Sequence, residues 1–119
     1  MKDSGITTLS MGCFGYLKAL TSVALPTSLT TIGPLAFSGD TALTSVIITG
    51  NVTSISYSSF EGCDALSALY LERGSVPSGY ETGWNYNAAY YLYSDTAPSV
   101  SPSKYWHYVN NVPTVYPSV

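Results

Sequence analysis

The sequence predicts a solenoid: a right-handed β/α superhelix of short parallel β-strands joined by short helical or 3₁₀ turns, closed at its C-terminal end by a β-hairpin cap. Three observations predict it. Apolar residues recur every 23 positions, at Phe14, Phe37 and Phe60, at Leu20, Leu43 and Leu66, at Val23, Val46 and Leu69, and at Leu25, Ile48 and Leu71. Each unit carries L-x-x-V-x-L, whose alternation sends Val23 and Leu25 inward and Ala24 outward as a strand requires. Near the C-terminus, Asn110-Asn111 separates "KYWHYV" from "VPTVY", and Asn tolerates the positive φ of a two-residue type I′ hairpin turn.

The chain opens in mid-repeat, with Ile6 and Leu9 on the phases of Leu29 and Ile32. The strands at Val23–Leu25, Val46–Ile48 and Leu69–Leu71 stack as parallel rungs about 4.8 Å apart. A second short strand follows at "SLTTI" and "NVTSI", and "GPLAF" or "YSSF" returns the chain through a helical or 3₁₀ turn. Six large apolar residues per unit, each worth roughly 1.5–3 kcal/mol when buried, find that burial only against neighbouring units. Repeats therefore span residues 6–73 of a single domain covering residues 1–119, with an aromatic-rich cap at 74–119. Beyond Arg73 the period stops, and eight of the eleven Tyr and both Trp lie between Tyr80 and Tyr116. Ala89 to Tyr93 reads as the last rung, and Pro113 belongs on an edge strand because it cannot donate to a ladder. The cap covers the last apolar rung; the opposite end has no such device and predicts an uncovered face, met by further repeats of a longer array or by self-association through the N-terminal repeat.

Composition narrows the function. Charged residues are 9% of the chain against roughly 25% in ordinary domains, so Ser, Thr, Asn and Tyr must supply the polar surface. Four scattered basic residues and a net charge of −3 leave no footprint for nucleic acid or anionic lipid. No apolar run approaches the ~18 residues of a membrane span, and "MKDSGITTLSMG" lacks the apolar core of a signal peptide.

The pattern F-x5-L-T-S-V-x-L-P-x-S-L-T-x-I-x3-A-F, read from Phe14 to Phe37, and "FEGCDAL" at Phe60 to Leu66 resemble the BspA-like (Treponema pallidum-type) leucine-rich repeats. The tail "YYLYSDTAPSVSPSKYWHYVNNVPTVY" is similar to the closing segment of bacterial members. The departures are Thr49-Gly50 in place of Pro, Leu17 and Asp40 in the column of Cys63, and Tyr116 for a final Trp; none removes a core column. The resemblance implies a non-catalytic protein-binding or adhesion domain of a bacterial cell-surface or secreted protein, with an extracellular localisation and a host matrix or surface protein as ligand.

Candidate catalytic groups are sparse. Cys13 and Cys63 lie two rungs apart, roughly 10 Å, beyond the ~7 Å a disulfide allows, and read as small buried residues. No C-x-x-C or His pair offers a metal site or cofactor anchor. His107 alternates with Trp106 and Tyr108 and reads as a polar strand residue of the cap. Asp40, Glu61 and Asp64 follow Phe37 and Phe60 in turns, where carboxylates favour turn geometry and solvent. Asn51-Val52-Thr53 is a glycosylation sequon, better read as a turn asparagine.

What remains is the outward face of the stacked strands. Its columns are Thr21, Thr44, Ser67; Ser22, Ser45, Ala68; and Ala24, Ile47, Tyr70. Hydroxyls beside an apolar column with an exposed Tyr make a flat protein-binding surface. Three rungs present roughly 200 Å² against the ~800 Å² per partner of an ordinary stable interface. Two alternatives accompany the adhesive reading: a structural spacer, and carbohydrate binding with Trp84, Tyr105 or Trp106 as stacking platforms.

Overall fold

A computed structural model describes residues 6–12, 14–86, 88–94 and 105–115, with Ala24 described by its backbone alone. Ten strands form two sheets. The first is β1 (Thr8–Leu9), β3 (Thr31–Ile32), β5 (Ser54–Ile55) and β7 (Gly79–Tyr80), all parallel. The second runs in the order β2 (Ser22–Ala24), β4 (Ser45–Ile48), β6 (Ala68–Leu71), β8 (Ala89–Tyr93), β9 (Tyr105–Val109), β10 (Val112–Val115). Every pair in it is parallel except the β9/β10 hairpin. Alternate chain segments thus feed two facing sheets, with the core between them.

The apolar columns of the sequence are the core columns of the molecule. Val46 pairs with Val23 on one side and Leu69 on the other, and Leu9, Ile32, Ile55 and Tyr80 stand in register across the first sheet. Phe14, Phe37 and Phe60 stack as a column, with centroids 5.5 and 5.3 Å apart and planes within 12° and 2° of parallel. The ladder outlives the sequence period. Tyr80 lies opposite Ile55 and Ala89 opposite Ala68, spacings of 25 and 21 residues that replace 23 without a shift in face.

The expected helical or 3₁₀ return is a set of hydrogen-bonded turns, and no helix occurs among the described residues. The reason lies in where the amides go. Phe14 and Tyr16 donate to the carbonyls of Ala36 and Ser38, and Phe37 and Gly39 to those of Ser59 and Glu61, each at 2.8 Å. Amides committed to the next rung cannot close i to i−4 rings. Left-handed steps in these turns fall on two columns, Gly12 (φ 69°) with Leu35 (59°), and Tyr16 (59°) with Gly39 (76°) and Gly62 (80°). Glycine suits that step, and at Gly39 a Cβ would lie 2.5 Å from the Tyr16 ring.

Asp40 corrects the expectation of a solvated turn carboxylate. It is fully buried, in the column of Leu17 and Cys63, so that column belongs to the core. Its Oδ1 accepts the Leu17 amide at 2.6 Å and its Oδ2 has no hydrogen-bond partner. Glu61 and Asp64 are exposed, as turn acids should be. Cys63 is a free, buried thiol whose Sγ donates to the Phe37 carbonyl at 3.0 Å, and burial pushes it up to about 11. Cys13, Asp95 and Lys104 lie outside the described residues.

At the C-terminal end, Asn110 and Asn111 take φ of 52° and 66°, the pair of left-handed residues that a type I′ turn needs. Ala89 to Tyr93 is not the final rung, because β9 pairs parallel with β8 at Leu92↔Tyr105 and Tyr93↔Trp106 before the chain turns back. Pro113 sits on β10, the outer strand of the sheet.

Candidate functional site

The outward face of the second sheet carries the candidate residues in register: Ser22, Ser45 and Ala68 in one column, Ala24, Ile47 and Tyr70 in the next. Thr21, Thr44 and Ser67 precede them at the strand entrances and are exposed. Their hydroxyls are not all available to a partner as donors. Thr44 Oγ1 donates to the Thr21 carbonyl at 3.2 Å, and Ser67 Oγ to the Thr44 carbonyl at 3.3 Å. Thr30, Thr49 and Asn51 reach the rung before them in the same way, onto Thr7, Pro26 and Thr27. The small polar residues therefore staple rungs together, which accounts for Asn51 as a turn asparagine.

Tyr70 departs from the flat, exposed platform expected of it. It is half-buried, stacked on Tyr91 at 5.8 Å and met by Trp106 at 5.3 Å and 54°. Burial, and secondarily Tyr91, raise its phenol above the ordinary range. The cause is the hairpin. In parallel pairing partners share a face, so Trp106 stands on the same outward face as its partner Tyr93, and Val115, across the hairpin from Trp106, follows it. Trp106 is fully buried against Tyr70, Tyr93 and Tyr108, and its Nε1 donates to the Leu71 carbonyl at 2.8 Å. Tyr108 donates to Glu72 Oε2 at 2.7 Å; burial first and then that carboxylate push the phenol up to about 12.

The hairpin brings Pro113 over the sheet and turns the flat face into an open depression of about 320 Å³, lined by Ser22, Val23, Ser45, Ile47, Tyr70 and Pro113. Among the described residues no charged group lines it. Pro113 is the site residue that sequence reasoning missed as such; it reads as an edge-strand residue, and only the folded hairpin places it in the lining shared with Ile47. Two of the three stacking platforms for a sugar are lost, since Trp84 and Trp106 are buried. Trp84 is enclosed by Tyr80 at 4.9 Å and Tyr90 at 5.5 Å, and Tyr105 is half-buried in the ladder beside Leu92.

His107 is a half-buried β9 residue opposite Thr114. Among the described residues no group of three His, Cys, Asp or Glu side chains is placed to hold a metal, and no helix is long and apolar enough to cross a membrane.

Neither the curated proteins nor the solved structures contain a match to this chain. A family comparison finds one, in six copies over residues 2–80, to the BspA type leucine rich repeat region, a repeat architecture that serves protein interaction. The match takes in the strands that build both sheets up to Tyr80, and the chain belongs to the BspA-type leucine-rich repeat family.

Proposed function

We propose that this chain is a non-catalytic protein-binding domain of a bacterial cell-surface or secreted protein, acting in adhesion to a host matrix or surface protein. The observation that carries the reading is the depression between the outward face and Pro113, whose described lining holds no charged residue. Ile47 supplies apolar contact, Ser22 and Ser45 supply hydroxyls beside it, and Tyr70 is held in place by two rings. A concave, mostly apolar patch with a few polar groups suits a protruding uncharged side chain of a partner. Thr21, Thr44, Ser67, Ala24 and Ala68 form its surroundings. Contact of this size gives weak affinity, and firm attachment comes from many copies on one surface.

Wells coated with basement-membrane extract test the reading. Chain displayed in many copies on beads should bind, and Ile47→Glu beads should lose at least tenfold of the signal with an unchanged melting temperature. Equal binding by Ile47→Glu and the unaltered chain would instead favour a spacer that positions other domains, a reading to which the small contact area lends support.

A further inference from the structure

The depression is bounded by strands from opposite edges of one sheet. β2 and β10 are the outermost strands in the order β10-β9-β8-β6-β4-β2, yet Ser22 and Val23 of the one and Pro113 of the other line the same hollow. The hairpin therefore returns across the outward face, and the trough beneath it crosses β2, β4 and β6.

Its chemistry is narrow. Thr44 and Ser67 commit their hydroxyls to the preceding rung, whereas those of Ser22, Ser45 and Tyr70 have no hydrogen-bond partner among the described residues. Tyr91 covers the Tyr70 ring from the β8 side, so the other face of that ring looks toward Ile47 and β4. Pro113 adds a second flat apolar surface. Under the trough the backbone is already committed: β4 pairs with β2 and β6, and β6 with β4 and β8. A ligand therefore meets hydroxyls and rings, with no row of free backbone groups beneath them.

Building on the protein-binding reading of this site, we propose that its ligand is a proline-rich segment in the polyproline II conformation. Such a segment rises about 3.1 Å per residue with three residues per turn, so equivalent rings recur every ~9.3 Å, and the distance from β2 to β6 is two strand spacings, about 9.6 Å. One turn of ligand thus spans the trough from Ser22 to Tyr70. Proline has a carbonyl but no N–H, so the ligand's backbone calls for donors, which the free hydroxyls supply. Its pyrrolidine rings dock on aromatic faces, and one wedged between Tyr70 and Pro113 leaves water without needing a charge. A β-strand ligand would need an unpaired edge under the trough. A sugar, with hydroxyl donors on every side, would need carboxylate or amide acceptors, and the described lining has none. Because a polyproline helix is ordered before it binds, a contact this small still gives a dissociation constant of about 0.1–1 mM.

Amide-shift titration of the isotopically labelled 119-residue chain with a blocked decaproline peptide tests this. Amides of Ser22, Ser45, Ile47 and Tyr70 should shift and saturate with that affinity, and a Gly-Ser decamer should leave them in place. Ser22→Ala combined with Ser45→Ala removes two donors and should weaken decaproline binding at least fivefold. Ser67→Ala, whose hydroxyl is already bonded to Thr44, should leave it unchanged. Absence of saturation by decaproline at about 10 mM, equal shifts with the Gly-Ser decamer, saturation by maltohexaose in place of decaproline, or an affinity indifferent to the loss of both serines overturns the proposal. If the double variant loses its circular dichroism signal, Tyr70→Phe, which removes only a donor, decides in its place. Beads that still bind coated wells through Ile47 while decaproline fails would remove the proline chemistry and leave protein binding standing; decaproline bound by a chain whose beads ignore the wells would keep the site and remove the matrix partner.

Discussion

The two ends of this ladder are cut from the same columns and finished differently. At the C-terminal end the chain spends a Trp, several Tyr and a hairpin: Trp106 is sealed beneath the cap, its indole N–H satisfied by Leu71, its ring enclosed by Tyr70, Tyr93 and Tyr108. At the N-terminal end Phe14 has one ring neighbour in its column, Phe37, where Phe37 has two. Burial in a solenoid is thus a property of position along the axis as much as of residue type, since an interior rung is covered on both sides and a terminal rung on one. The difference also sets the hairpin end apart, since its last strand supplies Pro113 to the depression.

Truncations measure that difference most directly. Trp106→Ala and Phe60→Ala, at fully buried positions, should each cost about 3–5 kcal/mol of unfolding free energy, while Phe14→Ala should cost roughly half as much. Urea titrations of the three variants provide the check. Equal losses at Phe14 and Phe60 would mean that the first rung is as well covered as the third.

How far the molecule could be read from its sequence follows the same division. The core columns were legible because one period repeats in Phe, Leu, Val and Ile alike, and the hairpin because Asn110-Asn111 has few other uses between two strands. The outward columns were legible as positions but not as an environment. Tyr70 reads as exposed by alternation, and its enclosure depends on Trp106, 36 residues away, arriving through the curl of a hairpin. That the described returns hold no helix was equally hidden, because Phe37 and Gly39 bond to Ser59 and Glu61 in preference to their own turn, a choice that only stacking makes. Asp40 was misread because an acid beside Gly39 has the composition of a solvated turn, while the column it occupies is set by Leu17 and Cys63.

Asp40 also distinguishes the interior from the ends through pH. Burial raises its carboxyl above the usual value of 3.8, with the Leu17 amide pulling weakly the other way. A group whose folded pKa is raised contributes stability that is fully present below the unfolded pKa and lost as pH rises through the folded one. The chain should therefore lose stability from this site as pH increases from about 4 toward neutrality, the reverse of an ion-paired carboxylate. Asp40→Asn keeps the acceptor for Leu17 and has no charge to desolvate; relative to the unaltered chain it should be more stable at pH 7 than at pH 4. Melting temperatures of both proteins across that range read the sign, and parallel profiles would place Asp40 in contact with water.

The smallest effect is expected at Tyr16, where the first rung imitates the others imperfectly. Its column continues as Gly39 and Gly62, and all three residues adopt positive φ. A side chain in that conformation costs roughly 1 kcal/mol, and Tyr16→Gly releases it. Against this stand the contacts of the Tyr16 ring over Gly39 and the roughly 0.5–1 kcal/mol of extra freedom that glycine has in the unfolded chain. The terms nearly cancel, so Tyr16→Gly should change stability by no more than about 0.5 kcal/mol in either direction. A loss well beyond that, measured in the same urea titrations, would show that the exposed ring clamps the open rung onto the second, and that the N-terminal end has a modest cap of its own.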